Sequence, residues 1–341
     1  MAIDIEDSLK DKFAKLIQKY LENLPVIILG TGATIPYRLP SMSELASHLK
    51  TSINESSDEW KKFLSALGKD GDLEKALQVT QISPELTDKI ITSTWELINR
   101  RDLAFYDKLV VEPQQDFPLK ELFKKLLRSH PKHIKVITTN YDRVAEYAAD
   151  LTYANIYSGF SGRYLLRPTL NDFQHRPNQN RVDIWKVHGS LDWFKRGNNS
   201  DFSAPLAKEI PSNTKPLIVT PGIVKYQQTH LEPYRTVIGE ADKALVDASC
   251  FLCIGYGFND EHVQPKLIQQ VQQRGIPIVT ITKKLTEAGK KLLLADSTKA
   301  IVIEEADNNK TLLRYVENKT AKSEILDGNF WQLDDFLNLW L

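Results

Sequence analysis

The chain is poor in cysteine and has no long apolar run, and these two shortages exclude several classes of protein. Cys250 and Cys253 are the only cysteines among 341 residues. They lie three apart in a strand-like apolar segment, where their side chains would point to opposite faces. This spacing disfavours a disulfide or a shared metal ion and favours two buried, reduced thiols, as in an intracellular protein. No apolar run approaches the roughly 20 residues that a membrane-spanning helix needs.

The charge balance and the first residues narrow the class further. Lys and Arg together number 44, as do Asp and Glu, so no overall field attracts nucleic acid or a membrane surface. Residues 1–7 are acidic and lack the basic and apolar regions of a signal peptide, which predicts a cytoplasmic protein. One segment, 160–196, is locally basic, but we interpret it as a solvated loop face, and nucleic acid is not an expected partner. Its basic residues are Arg163, Arg167, Arg176, Arg181, Lys186, Lys195 and Arg196.

The order of apolar patterns predicts an α/β fold with a doubly wound parallel sheet. Residues 26–29 form a short run without alternation, as expected for a strand covered by helices on both faces. Strands and helices alternate in the last third of the chain, which is typical of a Rossmann-like sheet. We expect the main α/β domain to comprise residues 1–42 and 131–305, with a helical module at 43–130 inserted between its first two strands, and a C-terminal extension at 306–341 that packs on the body or on a partner.

Two polar stretches interrupt the predicted pattern. Residues 150–181 are rich in Asn, Arg, Gly and Pro and are predicted to form a long loop, which in a compact domain is usually functional. Residues 195–216 are predicted to form a polar excursion between two strands.

Polar or glycine-containing turns follow five of the predicted strands. Open α/β sheets bind ligands at the carboxyl ends of their strands, so these turns are candidates for one common site. Glycines after a buried strand also allow backbone amides to approach a pyrophosphate. The candidates are Gly30, Thr31, Gly32, Ala33 and Thr34; Thr139, Asn140 and Asp142; His188 and Ser190; Gly255, Tyr256 and Gly257; and Thr282.

Each turn also has a plainer structural interpretation. Glycines 30 and 32 could serve only a tight turn, and Thr139 or Asn140 could cap a helix that begins near Asp142. A lone histidine is more often structural, although His188 is set apart by the Gly-Ser that follows it, and a neutral imidazole can accept a proton near pH 7. Several such turns in one chain favour a shared site.

The order and content of the turns resemble the sirtuin family of NAD-consuming proteins. Residues 30–34 look like the glycine-rich NAD loop, and residues 138–142 are similar to the segment that holds the nicotinamide ribose and carboxamide. His188-Gly189 matches the catalytic histidine motif, and residues 255–257 match the later nucleotide loop. The resemblance covers most of residues 25–305.

The departures from that family are informative. Protein-deacylating sirtuins carry a zinc module with four cysteines, whereas this chain has only two cysteines, so structural zinc is not expected here. Thr31 replaces the usual alanine, Thr139 stands where deacylases have glutamine, and the segment 43–130 is larger than its deacylase counterpart. In these respects the chain resembles the zinc-free sirtuin-like proteins of bacterial antiphage defence, in which the domain degrades NAD.

This resemblance implies an NAD+ glycohydrolase that releases nicotinamide and ADP-ribose without a metal ion. Asn140 would position the ribose hydroxyl and the attacking water, Asp142 would grip the carboxamide, and His188 would act as the base. The resemblance further implies that Gly30, Gly32 and Ala33 cradle the pyrophosphate, that Thr34 lies near the nicotinamide ribose, and that Gly255 and Gly257 contact the adenosine side.

The resemblance also implies control of the activity. An abortive-infection effector must be held inactive until it is triggered, so a homo-oligomer or a regulatory partner such as a HerA-type ATPase is expected. Two alternatives stay open: an NAD-dependent protein deacylase or ADP-ribosyltransferase, and a non-catalytic module that senses NAD or ADP-ribose. Asn140 and His188 favour an enzyme, because binding alone requires no base.

Overall fold

A computed structural model describes residues 2–68, 73–162, 164–169, 179–197, 200–220, 231–260, 263–296, 298–307 and 309–341. The strands are β1 (Val26–Leu29), β2 (His133–Thr138), β3 (Asn155–Tyr157), β4 (Phe160–Ser161), β5 (Arg167–Pro168), β6 (Arg181–Lys186), β7 (Gly189–Arg196), β8 (Ser200–Ser203), β9 (Thr214–Ile218), β10 (Phe251–Ile254), β11 (Ile278–Thr282), β12 (Ala300–Ala306), β13 (Lys310–Glu317) and β14 (Thr320–Asp327).

The α-helices are α1 (Ala2–Tyr20), α2 (Met42–Ser52), α3 (Asp58–Leu67), α4 (Leu73–Val79), α5 (Pro84–Val111), α6 (Pro118–Leu126), α7 (Val144–Asp150), α8 (Tyr234–Asp247), α9 (Gln264–Ile268), α10 (Glu287–Leu293) and α11 (Leu333–Trp340). Two 3-10 helices (Thr31–Ala33 and Ile35–Tyr37) follow β1, and a π-helix (Gln269–Gln273) continues α9.

A nine-stranded sheet organises the molecule, with the order β14-β13-β12-β11-β10-β1-β2-β6-β3. The strands from β12 to β3 pair in parallel, and β13 and β14 add an antiparallel edge. The predicted α/β fold with a large parallel sheet is confirmed. Because β1 pairs with β2 on one side and β10 on the other, the chain order reverses at β1, and such a switch point is where open sheets bind ligands.

Strand β1 is buried on both faces, as its continuous apolar sequence predicts. Ile27 and Leu29 join a core cluster that includes Phe13 of α1, whereas Val26 and Ile28 join a second cluster that includes Val237 of α8. All four residues are buried, so helices on both faces of the sheet shield the strand from water.

Helices α2 to α6 occupy the chain between β1 and β2, where the sequence predicts a helical module. Ser41 begins this module with a capping box, because its side chain accepts the Glu44 amide and the Glu44 carboxylate accepts the Ser41 amide. Helices α2 to α5 share a third core cluster, which includes Leu49, Phe63 and Ile90. The module therefore has an apolar core of its own.

Short strands replace the loops predicted at 150–181 and 195–216, so these two predictions are wrong in part. Strand β3 forms one edge of the main sheet through Asn155–Tyr157, which pairs with β6. Strands β8, β7 and β9 form a separate three-stranded antiparallel sheet. The polar sequences give no alternation signal, and the strands exist because neighbouring segments supply hydrogen-bond partners. Positions 163, 170–178 and 198–199 lie outside the described residues.

The basic segment does not form one solvated face, which corrects the interpretation made from its sequence. Arg181 is buried with its Nε 2.6 Å from Asp183 Oδ1, and Lys186 is buried with its Nζ 2.9 Å from Glu146 Oε1. Buried charges of this kind are paired within the protein. Arg163 and Arg176 of the same segment lie outside the described residues.

The C-terminal extension packs on the body of the protein. Strand β13 pairs with β12 and with β14, which widens the main sheet. Helix α11 then buries Phe336, Leu337 and Trp340 in the cluster that covers one face of that sheet. The apolar end of the chain therefore has a structural role within the monomer.

The two cysteines are buried free thiols, as their spacing predicts. Burial raises the pKa of Cys250 to about 12 and raises that of Cys253 as well. In the described parts of the chain, no helix has both the length and the apolar character that crossing a membrane requires.

The turns after β1 and β10 pack against each other backbone to backbone. The Gly32 amide donates to the Gly255 carbonyl at 3.1 Å, and Gly255 has a φ of +57°. A Cβ atom at Gly255 would lie 2.2 Å from the Ala33 nitrogen, and one at Gly30 would lie 2.4 Å from the Gly255 oxygen. Only glycine fits this contact without displacing main chain.

We predict that Gly255→Ala lowers the free energy of unfolding by more than about 2 kcal/mol, because a strained backbone residue costs about 1–3 kcal/mol and the clash adds to it. Urea denaturation measures the effect. Gly257→Ala is the matched control, since its Cβ would meet no atom closer than 3.8 Å, and we expect a change within about 0.5 kcal/mol. Equal losses in the two variants would contradict the proposed packing.

Candidate active site

The carboxyl ends of β1, β2, β6 and β10 meet at one cavity of about 300 Å³. This volume lies at the lower end of the range for small-molecule sites. The structure brings most of the residues predicted from the sequence to its wall, namely Gly30, Thr31, Thr34, Thr139, Asn140, Asp142, His188, Gly255, Tyr256 and Gly257.

Gly32, Ala33, Ser190 and Thr282 are not among the described residues that line the cavity. The amide of Ala33 donates to the Gly30 carbonyl at 3.0 Å, so it serves the turn itself. Ser190 is buried, and its Oγ accepts the Asp192 amide at 3.4 Å. Thr282 ends β11, and its Oγ1 donates to the Lys284 carbonyl.

The inserted module and the segment that leads into it supply a wall that was not predicted from the sequence. Leu39 and Pro40 precede α2, Met42 and Leu45 lie on it, and Ile98 lies on α5. These apolar residues carry the ordinary pattern of helices, so no signal in the sequence marks them as lining a site. The remaining lining residues are Tyr141, Asn259 and Asp260.

Asn140 connects the turn after β2 to the turn after β1. Its Nδ2 donates to the Gly30 carbonyl at 3.0 Å and lies 3.4 Å from Thr34 Oγ1. The backbone amide of Asn140 donates to Thr138 Oγ1, and the Thr138 hydroxyl donates to the Leu29 carbonyl. The side chain is buried and held by several partners, so its position is fixed before any ligand binds.

Asp142 is a buried carboxyl group whose pKa is raised. Its Oδ1 accepts the Val144 amide at 3.2 Å at the start of α7. The helix begins at Val144, and the side chain that bonds this terminus is Asp142, which corrects the expected cap at Thr139 or Asn140. Burial raises its pKa to about 6, opposed by the positive charge of Lys186. Perturbed carboxyl groups of this kind are concentrated at functional sites.

His188 meets a carboxylate that comes from the turn after β10. Its Nε2 lies 2.7 Å from Asp260 Oδ2, and both side chains are buried. The other oxygen of Asp260 accepts the Val263 amide at 3.0 Å, so the residue also bonds the start of α9. A carboxylate beside one ring nitrogen orients the imidazole and determines which nitrogen faces the ligand.

Gly189 allows His188 to reach this position. It has a φ of +89°, and a Cβ there would lie 2.0 Å from the Leu217 oxygen. The residue after the histidine must therefore be glycine for β7 to pair with β9 so closely. Within the described residues, no three His, Cys, Asp or Glu side chains are grouped as metal ligands would be.

Comparison with known proteins finds one family model that matches part of this chain. Residues 134–280 match the family model described as the SIR2-like domain, a range that includes Asn140, Asp142, His188 and the turn at Gly255. No curated protein matches the chain.

Solved structures of Sir2 homologues are similar to the chain over most of their length. A Sir2 homologue in complex with NAD is 14% identical, with a TM-score of 0.45 over 84% of this chain and 87% of that one. A Sir2 homologue mutant in complex with ADP-ribose is 17% identical, with a TM-score of 0.46 over 80% and 86%.

We predict that Asp142→Asn stabilises the protein at pH 7.5. The raised pKa means that the folded state binds a proton more tightly than the unfolded state, so ionisation of Asp142 lowers stability as the pH rises from 4 to 6. Asparagine keeps an oxygen for the Val144 amide and removes the buried charge. Since one pKa unit corresponds to about 1.4 kcal/mol, the gain approaches about 3 kcal/mol.

Urea denaturation of both proteins between pH 4 and pH 8 measures this difference. We expect the difference in free energy of unfolding between the variant and the wild type to shrink from pH 6 to pH 4, because the wild-type carboxyl becomes protonated over this range. A variant that is less stable than the wild type at pH 7.5, or a difference independent of pH, would show that Asp142 is stabilised as a charge.

Proposed function

We propose that this protein hydrolyses NAD+ to nicotinamide and ADP-ribose. One observation carries the proposal: Asn140, Asp142 and His188 converge in one cavity with the glycine turns at residues 30 and 255. The cavity lies at the switch point of a parallel sheet, where nucleotides bind in open α/β folds. The match of residues 134–280 to the SIR2-like domain supports the same assignment.

In the proposed reaction, the bond between the ribose C1′ and the nicotinamide nitrogen breaks, and the electron pair leaves with nicotinamide. Positive charge then develops on the ribose in an oxocarbenium-like transition state. The buried Asn140 holds the ribose hydroxyl and the attacking water, and the buried Asp142 hydrogen-bonds the carboxamide. Water attacks C1′ and gives its proton to His188, and general-base assistance of this kind contributes about 100- to 10,000-fold.

The glycine turns hold the remainder of the substrate. The backbone at Gly30 lies at the cavity without a side chain to obstruct a pyrophosphate, and the backbone at Gly255 leaves room in the same way for the adenosine side. Thr34 is buried beside Asn140 and contacts the nicotinamide ribose, and Gly257 lies toward the adenosine. Protein deacylation, ADP-ribosyl transfer and plain NAD sensing would use the same pocket and are distinguished by the products formed.

A hydrolase of this type requires restraint, because it would exhaust the NAD of its own cell. We include in the proposal that the protein is an effector of antiphage defence, activated by oligomerisation or by a regulatory partner such as a HerA-type ATPase. The resemblance to defence-associated sirtuin-like proteins supports this part, and the large helical module offers a surface for such control.

We predict that the purified protein converts NAD+ to nicotinamide and ADP-ribose, followed by chromatography. His188→Ala and Asn140→Ala are expected to lower turnover at least about 100-fold, because they remove the base and the group that positions the water. His48→Ala on α2 is the control, since this histidine is not among the described residues lining the cavity, and it should leave turnover unchanged.

Turnover that persists in both site variants would contradict the assignment of the site. Label transferred from NAD to protein, or deacylation of an acyl-lysine peptide, would favour the alternative enzymes. Tight NAD binding without turnover by the assembled protein and its partner would favour the sensing module.

A further inference from the structure

Helix α5 faces two parts of the molecule at once. Leu86, Ile90 and Leu97 pack into the core that α5 shares with α2, α3 and α4. A second set of residues, Trp95, Asn99 and Asp102, recurs at a spacing of four and three and so lies on one face of the helix. We call these three residues the α5 stripe. All three are buried, and two are polar.

Asp102 bonds the residue that follows the candidate catalytic segment. Its Oδ1 accepts the backbone amide of Arg143 at 2.7 Å, and its Oδ2 accepts Arg143 Nε at 2.8 Å. The Tyr147 hydroxyl of α7 also donates to Oδ2, at 2.5 Å. Because Arg143 comes directly after Asp142, a carboxylate from the inserted module fixes the main chain beside the cavity.

Arg143 extends the contact to the strand that follows His188. Its guanidinium donates to Asp192 Oδ1 of β7 at 2.7 Å and to Asn99 Oδ1 at 2.6 Å. The side chain is almost fully buried and lies between two carboxylates. Removing either carboxylate would leave the buried guanidinium charge of Arg143 without full compensation. The relative positions of these charged side chains are therefore strongly constrained.

Trp95 completes the link between the stripe and the second candidate segment. Its Nε1 donates to the Leu191 carbonyl at 2.8 Å, and the Leu191 amide donates to the Tyr141 carbonyl at 3.0 Å. The turn at 140–142 and the start of β7 are therefore bonded to each other and to α5. Both segments are therefore held by the helical module in addition to the sheet.

We propose that Asp102 is a positioning residue through which the helical module aligns the Asn140–Asp142 turn with His188. The core shared by α2 to α5 is apolar and has no need of a buried carboxylate, whereas Asp102 accepts hydrogen bonds from Arg143, beside the candidate catalytic turn, and from Tyr147 of α7. A displacement of α5 would thus shift the turn at 140–142 relative to His188 and leave the strand pairing of the main sheet intact. The catalytic consequence rests on the proposed NAD hydrolysis.

The test compares Asp102→Asn with Asp88→Asn, the same substitution on the same helix. Asp88 lies in an exposed ion pair with Lys215, so its loss should leave the site unchanged. Hydrogen–deuterium exchange is measured on peptides covering 138–144 and 188–192. We expect faster exchange in both peptides for Asp102→Asn only, with no change in peptides from β10 and β11.

Activity and binding supply the second readout. Asp102→Asn should lower kcat by about 10- to 100-fold, since a small misplacement of a catalytic group costs up to about 100-fold. The Kd for ADP-ribose, which the glycine turns hold, should stay within about threefold. A merely structural role would instead lower stability and binding together and accelerate exchange throughout the chain.

The proposal would be overturned if the Asp102→Asn variant exchanged at the wild-type rate in the peptides covering 138–144 and 188–192. If that variant fails to fold, Trp95→Phe replaces it, because it removes the indole donor to the Leu191 carbonyl and keeps an aromatic ring at this position. Unchanged exchange at 188–192 in this variant would likewise contradict the proposal. The exchange measurement requires no activity. A wild type that does not hydrolyse NAD even when assembled with its activating partner would therefore refute the proposed function, while exchange still decides the role of Asp102.

Discussion

The contact between the turns after β1 and β10 is the constraint on which the candidate site depends. Gly255 approaches Gly32 and Ala33 so closely that no side chain fits between them. This contact fixes the backbone carbonyl of Gly30, which accepts a hydrogen bond from the side-chain amide of Asn140. The turn that begins at Gly255 also places Asp260 beside His188. Two candidate catalytic groups on different strands are thus positioned from one backbone contact at the centre of the sheet.

Around that contact the protein keeps charges that a purely structural core would avoid. Burial raises the pKa of Asp142, so its ionised form lowers stability at neutral pH. Arg143 is buried between Asp102 and Asp192, an arrangement that apolar residues could often replace without loss of stability. Buried charged side chains that lower the stability of the folded state, when they lie together near one cavity, are typical of a functional site.

The division of labour between sheet and insertion follows from the same geometry. The sheet supplies the turns at Gly30, Asn140, His188 and Gly255, whereas the insertion supplies an apolar wall and the α5 stripe. The centre of the parallel sheet is a rigid frame because β1, β6 and β10 are buried along their whole length. The insertion has its own core and contacts the site through few residues, which makes it the part best suited to control.

Much of this arrangement could be predicted from the sequence, because the signals are local. The apolar run at 26–29 and the turns that follow successive strands indicate a parallel sheet with polar groups at one edge. The contacts of Asp260 with His188 and of Asp102 with Arg143 join residues 72 and 41 positions apart, and no periodicity reports such pairs. Strands β3 and β8 were not predicted for the same reason, since their pairing depends on tertiary neighbours.

A crystal structure of the protein with ADP-ribose tests the central claim most directly. We predict that the pyrophosphate lies against the backbone of Gly30, that the adenosine side lies against Gly255, and that the distal ribose lies within hydrogen-bond distance of Asn140 and His188. ADP-ribose bound at another surface, or bound in the cavity with this ribose turned away from both residues, would contradict it.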